Sequence, residues 1–212
     1  MINTQKTNDF TEIMTGRRSI RKYDPSVKIS KEEMTEILTE ATLAPSSVNM
    51  QPWRFLVIDS ADGKAKLAPL AKYNQLQVET SAAMIAVFGD LNNFENAEEI
   101  YGKAVELGYM PSEVKESQIE KLTAHFSTVS PEVMKNTVLI DGGLVAMQLM
   151  LTARAHGYDT CPIGGYEKDK IAEAFGLDKD RYVPVMLISI GKAADSGYKS
   201  VRLPIDKIAQ WK

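Results

Sequence analysis

The feature that most constrains the fold is a long apolar helix predicted over Glu132–His156. Ser130 and Pro131 supply an N-cap and a first-turn proline, and Gly157 is the residue type that most often follows a helix end. Between Val138 and Leu151 nearly every position is apolar or small, whereas a surface helix carries only one apolar stripe. We therefore expect this helix to lie at the centre of the fold, or to be covered by a partner.

Length, composition and charge restrict the class of protein. The chain has 212 residues, of which 44% are hydrophobic and 25% charged, as is typical of globular domains. A formal charge of -3 gives no overall attraction to nucleic acid or anionic membranes, so an anionic ligand must be bound by a local cluster. The single cysteine, Cys161, excludes an intrachain disulfide and fits a reducing compartment.

Two further patterns concern localisation and metal binding. Met1–Phe10 is polar, without a signal-peptide profile, and the longest uncharged apolar stretch, Gly142–Ala153, is shorter than the about 20 residues of a membrane span. His125 and His156 lie far apart, with no further ligand at metal-binding spacing. The sequence predicts a cytoplasmic protein that binds no nucleic acid, no membrane and no metal.

The rest of the chain alternates predicted helices with apolar strands. Helices are predicted at Asp9–Thr15, from Ser30 to Pro45, at Gly63–Lys72 and at Lys168–Phe175, strands at Trp53–Ile58, Ala82–Phe88 and Tyr182–Ile190, and charge-rich helices within Asn92–Ser127. No repeat or linker divides the chain, which predicts one domain over residues 1–212. This order of elements indicates a mixed α/β or α+β fold, and it leaves the strand order open.

A basic segment follows the first predicted helix. Arg17, Arg18 and Arg21 lie within five residues and flank the hydroxyl of Ser19. Because the planar guanidinium group matches a phosphate, and a serine hydroxyl can complete the same oxygen shell, the segment indicates a phosphate site. A solvated basic turn or a nucleic-acid or localisation patch would have the same composition, and the segment alone does not decide among them.

A second polar segment, Ala44–Trp53, lies between a helix and a strand. Its two prolines restrict the backbone, and Ser46, Ser47, Asn49 and Gln51 carry hydroxyl and amide groups that can bind a polar ligand. An ordinary turn held by local side-chain bonds would use the same residue types.

A third segment, Cys161–Tyr166, contains the pair Gly164-Gly165 before a predicted helix. Such glycines let backbone N–H groups approach a flat ring or an anion. The dinucleotide fingerprint and the phosphate loop are both absent from the sequence, so neither of those enzyme classes is supported. Cys161 fits a small buried apolar residue better than a nucleophile.

In this order and at these separations, the segments resemble the nitroreductase family of flavin oxidoreductases. The landmarks are Arg17–Arg21, Ala44–Trp53, Asp141-Gly142-Gly143, Pro162–Gly165, and Lys199 with Arg202. The resemblance implies an α+β fold in which a central, mostly antiparallel sheet is flanked by helices, one of them long and buried. It also implies a homodimer with FMN at the subunit interface.

The resemblance further implies which residues bind FMN. Arg17, Ser19, Lys199 and Arg202 would hold the phosphate, with Arg18 nearby, and Arg21, Asn74 and Gln77 would lie at the pyrimidine edge of the flavin. Pro45, Ser46, Ser47 and Asn49 of the other subunit would line the ribityl chain and ring, and Pro162, Ile163, Gly164 and Gly165 would cover the opposite region. The positive charge of Arg21 would stabilise the negative charge that reduction places on that edge.

The implied activity is a ping-pong reaction. NADH or NADPH would deliver hydride to flavin N5 and leave, and a nitroaromatic, quinone or related small molecule would then take electrons at the same face. No side chain is needed as an acid or base, so no catalytic residue is assigned. Helices in residues 92–128 would form a lid over the acceptor pocket.

Three alternatives remain open at this point. One is a specialised activity of the same family, either flavin fragmentation or reductive dehalogenation. Another is a non-enzymatic sensor that binds flavin, and the third is a globular protein whose basic and glycine-rich turns are only structural.

Overall fold

The computed structural model describes residues 6–212, so part of the polar N-terminal segment, residues 1–5, lies outside the described residues. The helices are α1 Phe10–Gly16, α2 Lys31–Ala41, α3 Ala61–Leu67, α4 Gln75–Thr80, α5 Ala97–Glu106, α6 Ser112–Phe126, α7 Pro131–Ala155 and α8 Lys168–Ala174. The strands are β1 Trp53–Ile58, β2 Ala83–Asp90, β3 Asp159–Ile163 and β4 Tyr182–Gly191. Short 3₁₀ turns lie at Ser47–Asn49, Ala68–Leu70, Lys72–Asn74, Asn93–Asn96 and Ile205–Lys207.

The four strands form one antiparallel sheet in the order β1-β2-β4-β3. Every residue of β2 is buried, because this strand has a neighbour on each side and helices on both faces. The predicted α+β fold with a mostly antiparallel sheet is thereby confirmed. A break in register between Val87 and Phe88 marks a bulge opposite β4.

Strand β3 is absent from the sequence prediction, which treated its residues as part of a connecting segment. Its sequence is short and contains Pro162, which has no N–H to donate to a neighbouring strand. Proline is tolerated here because β3 is an edge strand that pairs with β4, and its other side carries, among the described residues, only an isolated bridge at Thr160, two residues before the proline.

The predicted helix starts are confirmed by their caps. The side chain of Ser30 accepts a hydrogen bond from the Glu33 amide, and that of Ser130 accepts one from the Val133 amide. Two predicted ends are wrong. Helix α2 ends at Ala41, before Pro45, and α3 ends at Leu67, before Lys72. Pro69 explains the second, because its ring and missing N–H prevent the α-helix from continuing.

Helix α7 lies across one face of the sheet. Val138 is fully buried against Gly89, and a Cβ on Gly142 would lie 2.5 Å from Cγ2 of Val185, so these glycines allow close packing. Val145 and Leu149, further along α7, are fully buried in the same core, together with apolar residues of α2. The other face of the sheet packs against α3, α4 and α8, which gives three layers.

The opposite side of α7 is apolar and exposed. Ile140, Leu144 and Met147 follow one another at helical spacing and are 65%, 44% and 41% exposed. One side of α7 is therefore buried in the core, and the exposed stripe of Ile140, Leu144 and Met147 is the surface that a partner would cover. Within residues 6–212, α7 alone is long and apolar enough to cross a membrane, and half of its most apolar window is buried inside the protein.

Candidate active site

The basic segment is fixed to the edge of the sheet. Ser19 forms a parallel bridge with Thr160 of β3, and the Ile20 amide donates a 3.1 Å hydrogen bond to the Thr160 carbonyl. This contact joins residues far apart in the sequence and places Arg17 and Ser19 beside Cys161. Strand β3 therefore brings the basic segment to the segment that contains Gly164 and Gly165.

The guanidinium group of Arg17 marks a candidate anion-binding site. Its Nη1 atom is buried and has no hydrogen-bond partner among the described residues. A guanidinium group keeps its charge at any physiological pH, so it cannot reduce this cost by losing a proton. An anionic group with free oxygen atoms, such as a phosphate, would satisfy it.

The thiol of Cys161 lies at the meeting point of several predicted residues. Burial raises its pKa, while the positive charges of Arg21 and Arg17 and hydrogen bonds with Gln77 and Ser19 oppose that rise. Because the net shift is upward, the thiol stays protonated at neutral pH and is a poor nucleophile. The expectation that Cys161 acts as a small buried residue agrees with this environment.

Asn74 and Gln77 join the same cluster through the glycine pair. The Asn74 side-chain amide donates a 3.1 Å hydrogen bond to the Gly165 carbonyl, and the Gln77 amide donates a 3.3 Å bond to Asn74 Oδ1. A Cβ on Gly164 or Gly165 would meet no atom within 4 Å, so open space lies beside both glycines. We call this cluster the basic half-site: Arg17, Ser19, Arg21, Asn74, Gln77, Pro162, Ile163, Gly164 and Gly165.

The other predicted phosphate-binding cations, Arg18, Lys199 and Arg202, have different surroundings. Arg18 and Lys199 both line a cavity of about 390 Å³ beside α1. The Arg18 guanidinium group donates to the carbonyls of Thr15 and Arg17, so it already has partners. Arg202 is exposed, and its described hydrogen bonds are local, to Ser200 and to the Val201 carbonyl.

The second polar segment forms a separate cluster, the hydroxyl half-site: Pro45, Ser46, Ser47 and Asn49. Its backbone is unusual, because Val48, Asn49 and Gln51 have φ values of 45°, 58° and 48°. Residues other than glycine are uncommon at positive φ, and a β-branched valine there is a clear outlier. Strain of this kind persists only where the surroundings impose it, and it is frequent at functional sites.

The two half-sites lie at opposite edges of the sheet. Strands β1 and β3 are these edges, three strand spacings or about 14 Å apart. The hydroxyl half-site precedes Trp53, which pairs with Gly89, whereas Thr160 is level with Ala83 and Ile163 is level with Ala86. The three to six residues between these levels along β2 add about 10–20 Å in the perpendicular direction. Within one chain, therefore, the two groups of predicted site residues are not brought together.

Helices α5 and α6 pack beside the hydroxyl half-site. Met50 shares an apolar cluster with Tyr101 of α5 and Leu122 of α6, and the Tyr101 hydroxyl donates a 3.0 Å hydrogen bond to the Val48 carbonyl. A cavity of about 800 Å³ opens between α6 and the start of α7, and the stacked rings of Phe94 and Phe126 line it.

The comparison with known proteins identifies the family. Residues 14–192 match the family model described as the Nitroreductase family. The chain belongs to the nitroreductase family. Its relatives include YdgI of Bacillus subtilis, named as a candidate NAD(P)H nitroreductase, which is 75% identical over 207 residues, covering 98% of this chain and 99% of its own. The predicted family is confirmed.

Two further relatives of this chain bear on ligand and reaction. A candidate nitroreductase from Exiguobacterium sibiricum, solved in complex with FMN, has 68% sequence identity and a TM-score of 0.97, covering 99% of this chain and 100% of that one. The conjugated linoleic acid (CLA) biosynthesis enone reductase of Lactiplantibacillus plantarum is 36% identical over 196 residues, covering 92% of this chain and 90% of its own.

Sequence reasoning singled out the residues of both half-sites as candidates, but it named Asp141 only as a family landmark and gave it no role in holding the hydroxyl half-site. Asp141 is 2% exposed on α7, and its carboxylate accepts hydrogen bonds from the amide and hydroxyl of Ser47. The signal was visible, because Asp141 is the only charged residue in an otherwise apolar stretch. Its partner lies 94 residues away, which no local pattern reveals.

Proposed function

We propose that the protein is an FMN-dependent NAD(P)H oxidoreductase that works as a cytoplasmic homodimer and reduces nitroaromatic, quinone or related acceptors. The observation that carries the cofactor assignment is the buried, unpartnered Nη1 of Arg17 in a chain of this family. When bound, FMN takes a hydride from the nicotinamide and passes electrons on to the acceptor. A ping-pong order, in which donor and acceptor use the same face in turn, is part of the proposal.

Different residues in and beside the basic half-site bind different parts of FMN. Arg17 and Ser19 bind the phosphate, and Lys199 and Arg202 approach it from the C-terminal tail, with Arg18 nearby. Arg21 is exposed at the other end of the segment, where it meets the pyrimidine edge with Asn74 and Gln77. The open space beside Gly164 and Gly165 leaves room for the flavin ring against Pro162 and Ile163.

The separation of the half-sites supports a dimeric site. In one chain the hydroxyl half-site lies across the whole width of the sheet from the basic half-site, about 14 Å or more away. A two-fold dimer contains each surface twice, so the partner can supply its own Pro45, Ser46, Ser47 and Asn49. The exposed stripe of Ile140, Leu144 and Met147 provides an apolar surface for such a contact.

The acceptor pocket is proposed to lie under a helical lid formed by residues 92–128 of a single domain that spans residues 1–212. The lid contacts the loop that carries the hydroxyl half-site, because Tyr101 donates to the Val48 carbonyl and packs in one apolar cluster with Met50, so a movement of α5 would shift that loop. The apolar lining of the neighbouring cavity favours acceptors with aromatic or aliphatic parts.

Steady-state assays with an acceptor panel test this function. We expect oxidation of NADH or NADPH with nitroaromatic and quinone acceptors, and parallel lines in double-reciprocal plots because the donor leaves before the acceptor binds. Turnover confined to enones would shift the assignment towards the activity named for the relative from Lactiplantibacillus plantarum. Bound FMN without turnover of any acceptor would contradict an enzymatic function and favour a sensor.

A further inference from the structure

The loop that carries the hydroxyl half-site needs outside support. Val48, Asn49 and Gln51 all have positive φ, a backbone conformation that is unfavourable for residues other than glycine. Within the loop, the Gln51 amide donates to the Ser46 hydroxyl at 3.0 Å, which closes a turn but does not attach it to the core. The contacts that fix the loop must therefore come from other elements.

Helix α7 provides one of these contacts through Asp141. The Ser47 amide donates to Oδ2 at 3.0 Å and to Oδ1 at 3.2 Å, and the Ser47 hydroxyl donates to Oδ1 at 3.2 Å. Tyr101 holds the next residue from the opposite side, by its hydrogen bond to the Val48 carbonyl. The loop is thus fixed between the central helix and the lid.

Burying the Asp141 carboxylate costs desolvation free energy, so an aspartate is not expected at a position that only packs the core. It is 2% exposed, and none of the ion pairs within residues 6–212 includes it. Burial raises the pKa of its carboxyl group, and the hydrogen bonds from Ser47 lower it. Other buried carboxylates of this chain, Asp90 and Asp159, are compensated by arginines, whereas Asp141 is compensated by the loop.

We propose that Asp141 is a positioning residue for the flavin site: acting through Ser47, it fixes the backbone that presents Pro45, Ser46 and Asn49 to the FMN of the partner subunit. The inference rests on the proposed function, because it is the flavin that the loop would contact. It predicts that Asp141 contributes its hydrogen bonds to Ser47, and that the negative charge itself is not required.

The test compares two substitutions at the same position. Asp141→Ala removes both acceptors, so we expect the Kd for FMN to rise at least tenfold. In the apoprotein we expect the amide hydrogens of residues 46–51 to exchange faster. Asp141→Asn keeps an oxygen that accepts from the Ser47 amide, and its NH₂ group can donate to the Ser47 hydroxyl. Because both hydrogen bonds to Ser47 can be kept, we expect the Kd of Asp141→Asn to stay within about threefold of the wild-type value.

Leu149→Ala is the matched control, because Leu149 is fully buried on the same helix, eight residues or about 12 Å beyond Asp141. We expect it to lower Tm at least as much as Asp141→Ala and to leave the Kd for FMN unchanged. Ser47→Ala removes the hydroxyl donor without altering α7, and we expect faster exchange of the same loop amides in its apoprotein. This second variant keeps the test decisive should Asp141→Ala fail to fold.

The outcomes separate the inference from the proposed function. A wild-type Kd in Asp141→Ala, unchanged exchange in Ser47→Ala, or an equal loss of FMN in Leu149→Ala would overturn the positioning role alone. Wild-type protein that does not bind FMN would overturn the proposed function, and the positioning role with it.

Discussion

Replacing Arg17 by alanine is expected to raise the Kd for FMN by about 100-fold or more. Hydrogen bonds between charged groups contribute about 1.5–3 kcal/mol each, and a guanidinium group can make two of them to one phosphate. Because Arg17 Nη1 is buried without a partner, the same substitution removes an unsatisfied group from the apoprotein. We therefore expect the Tm of the apoprotein to stay the same or to rise, and fluorescence titration to show the loss of FMN affinity.

Lys22→Ala is the control for the charge of the segment. Lys22 is exposed, lies in the same basic run, and is not among the residues proposed to bind FMN. Removing it lowers the positive charge by the same amount, so we expect a change in Kd of less than about threefold, as for a screened surface charge. Equal losses of affinity in the two variants would show that Arg17 acts only through general electrostatics.

Ile140→Glu is expected to separate the subunits and to abolish FMN binding. Ile140 is 65% exposed at the start of the apolar stripe on α7, and a two-fold contact would bury the new charge twice. An unpaired charge at an interface costs several kcal/mol, which is enough to dissociate a dimer at micromolar concentration. Light scattering measures the mass, and the visible absorption spectrum measures the flavin in the same sample.

Leu107→Glu introduces the same charge at an exposed apolar residue, 53% accessible, at the end of α5 and away from the stripe. We expect this variant to remain dimeric and to keep its FMN. A dimeric Ile140→Glu protein would place the subunit contact elsewhere. A monomeric one that binds FMN with wild-type affinity would show that one chain forms the whole site.

Local patterns predicted the parts of the fold that local physics determines. The caps at Ser30 and Ser130 and the buried, mostly apolar strand β2 follow from side chains within a few residues of each position. The end of α3 is also marked by a nearby residue, Pro69, but the predicted helix continued past that proline to Lys72. Strand β3 could not be found this way, since its strand character comes from pairing with β4.

The candidate site depends on contacts that a single sequence does not display. The hydrogen bond from Asn74 to Gly165 spans 91 residues, and that from Ser47 to Asp141 spans 94. The residue types and the resemblance identified both half-sites as candidates. Their positions at opposite edges of the sheet, which led us to propose a site shared by two subunits, required the pairing of all four strands.

The absorption spectrum of the purified protein, recorded with and without added FMN and then after anaerobic addition of NADH or NADPH, tests the central claim most directly. A reducible flavoenzyme is predicted to show protein-bound flavin bands that bleach with at least one of the two donors. Protein that binds no flavin after FMN is added would contradict the cofactor assignment. Flavin bands that persist with both donors would contradict the proposed NAD(P)H oxidoreductase.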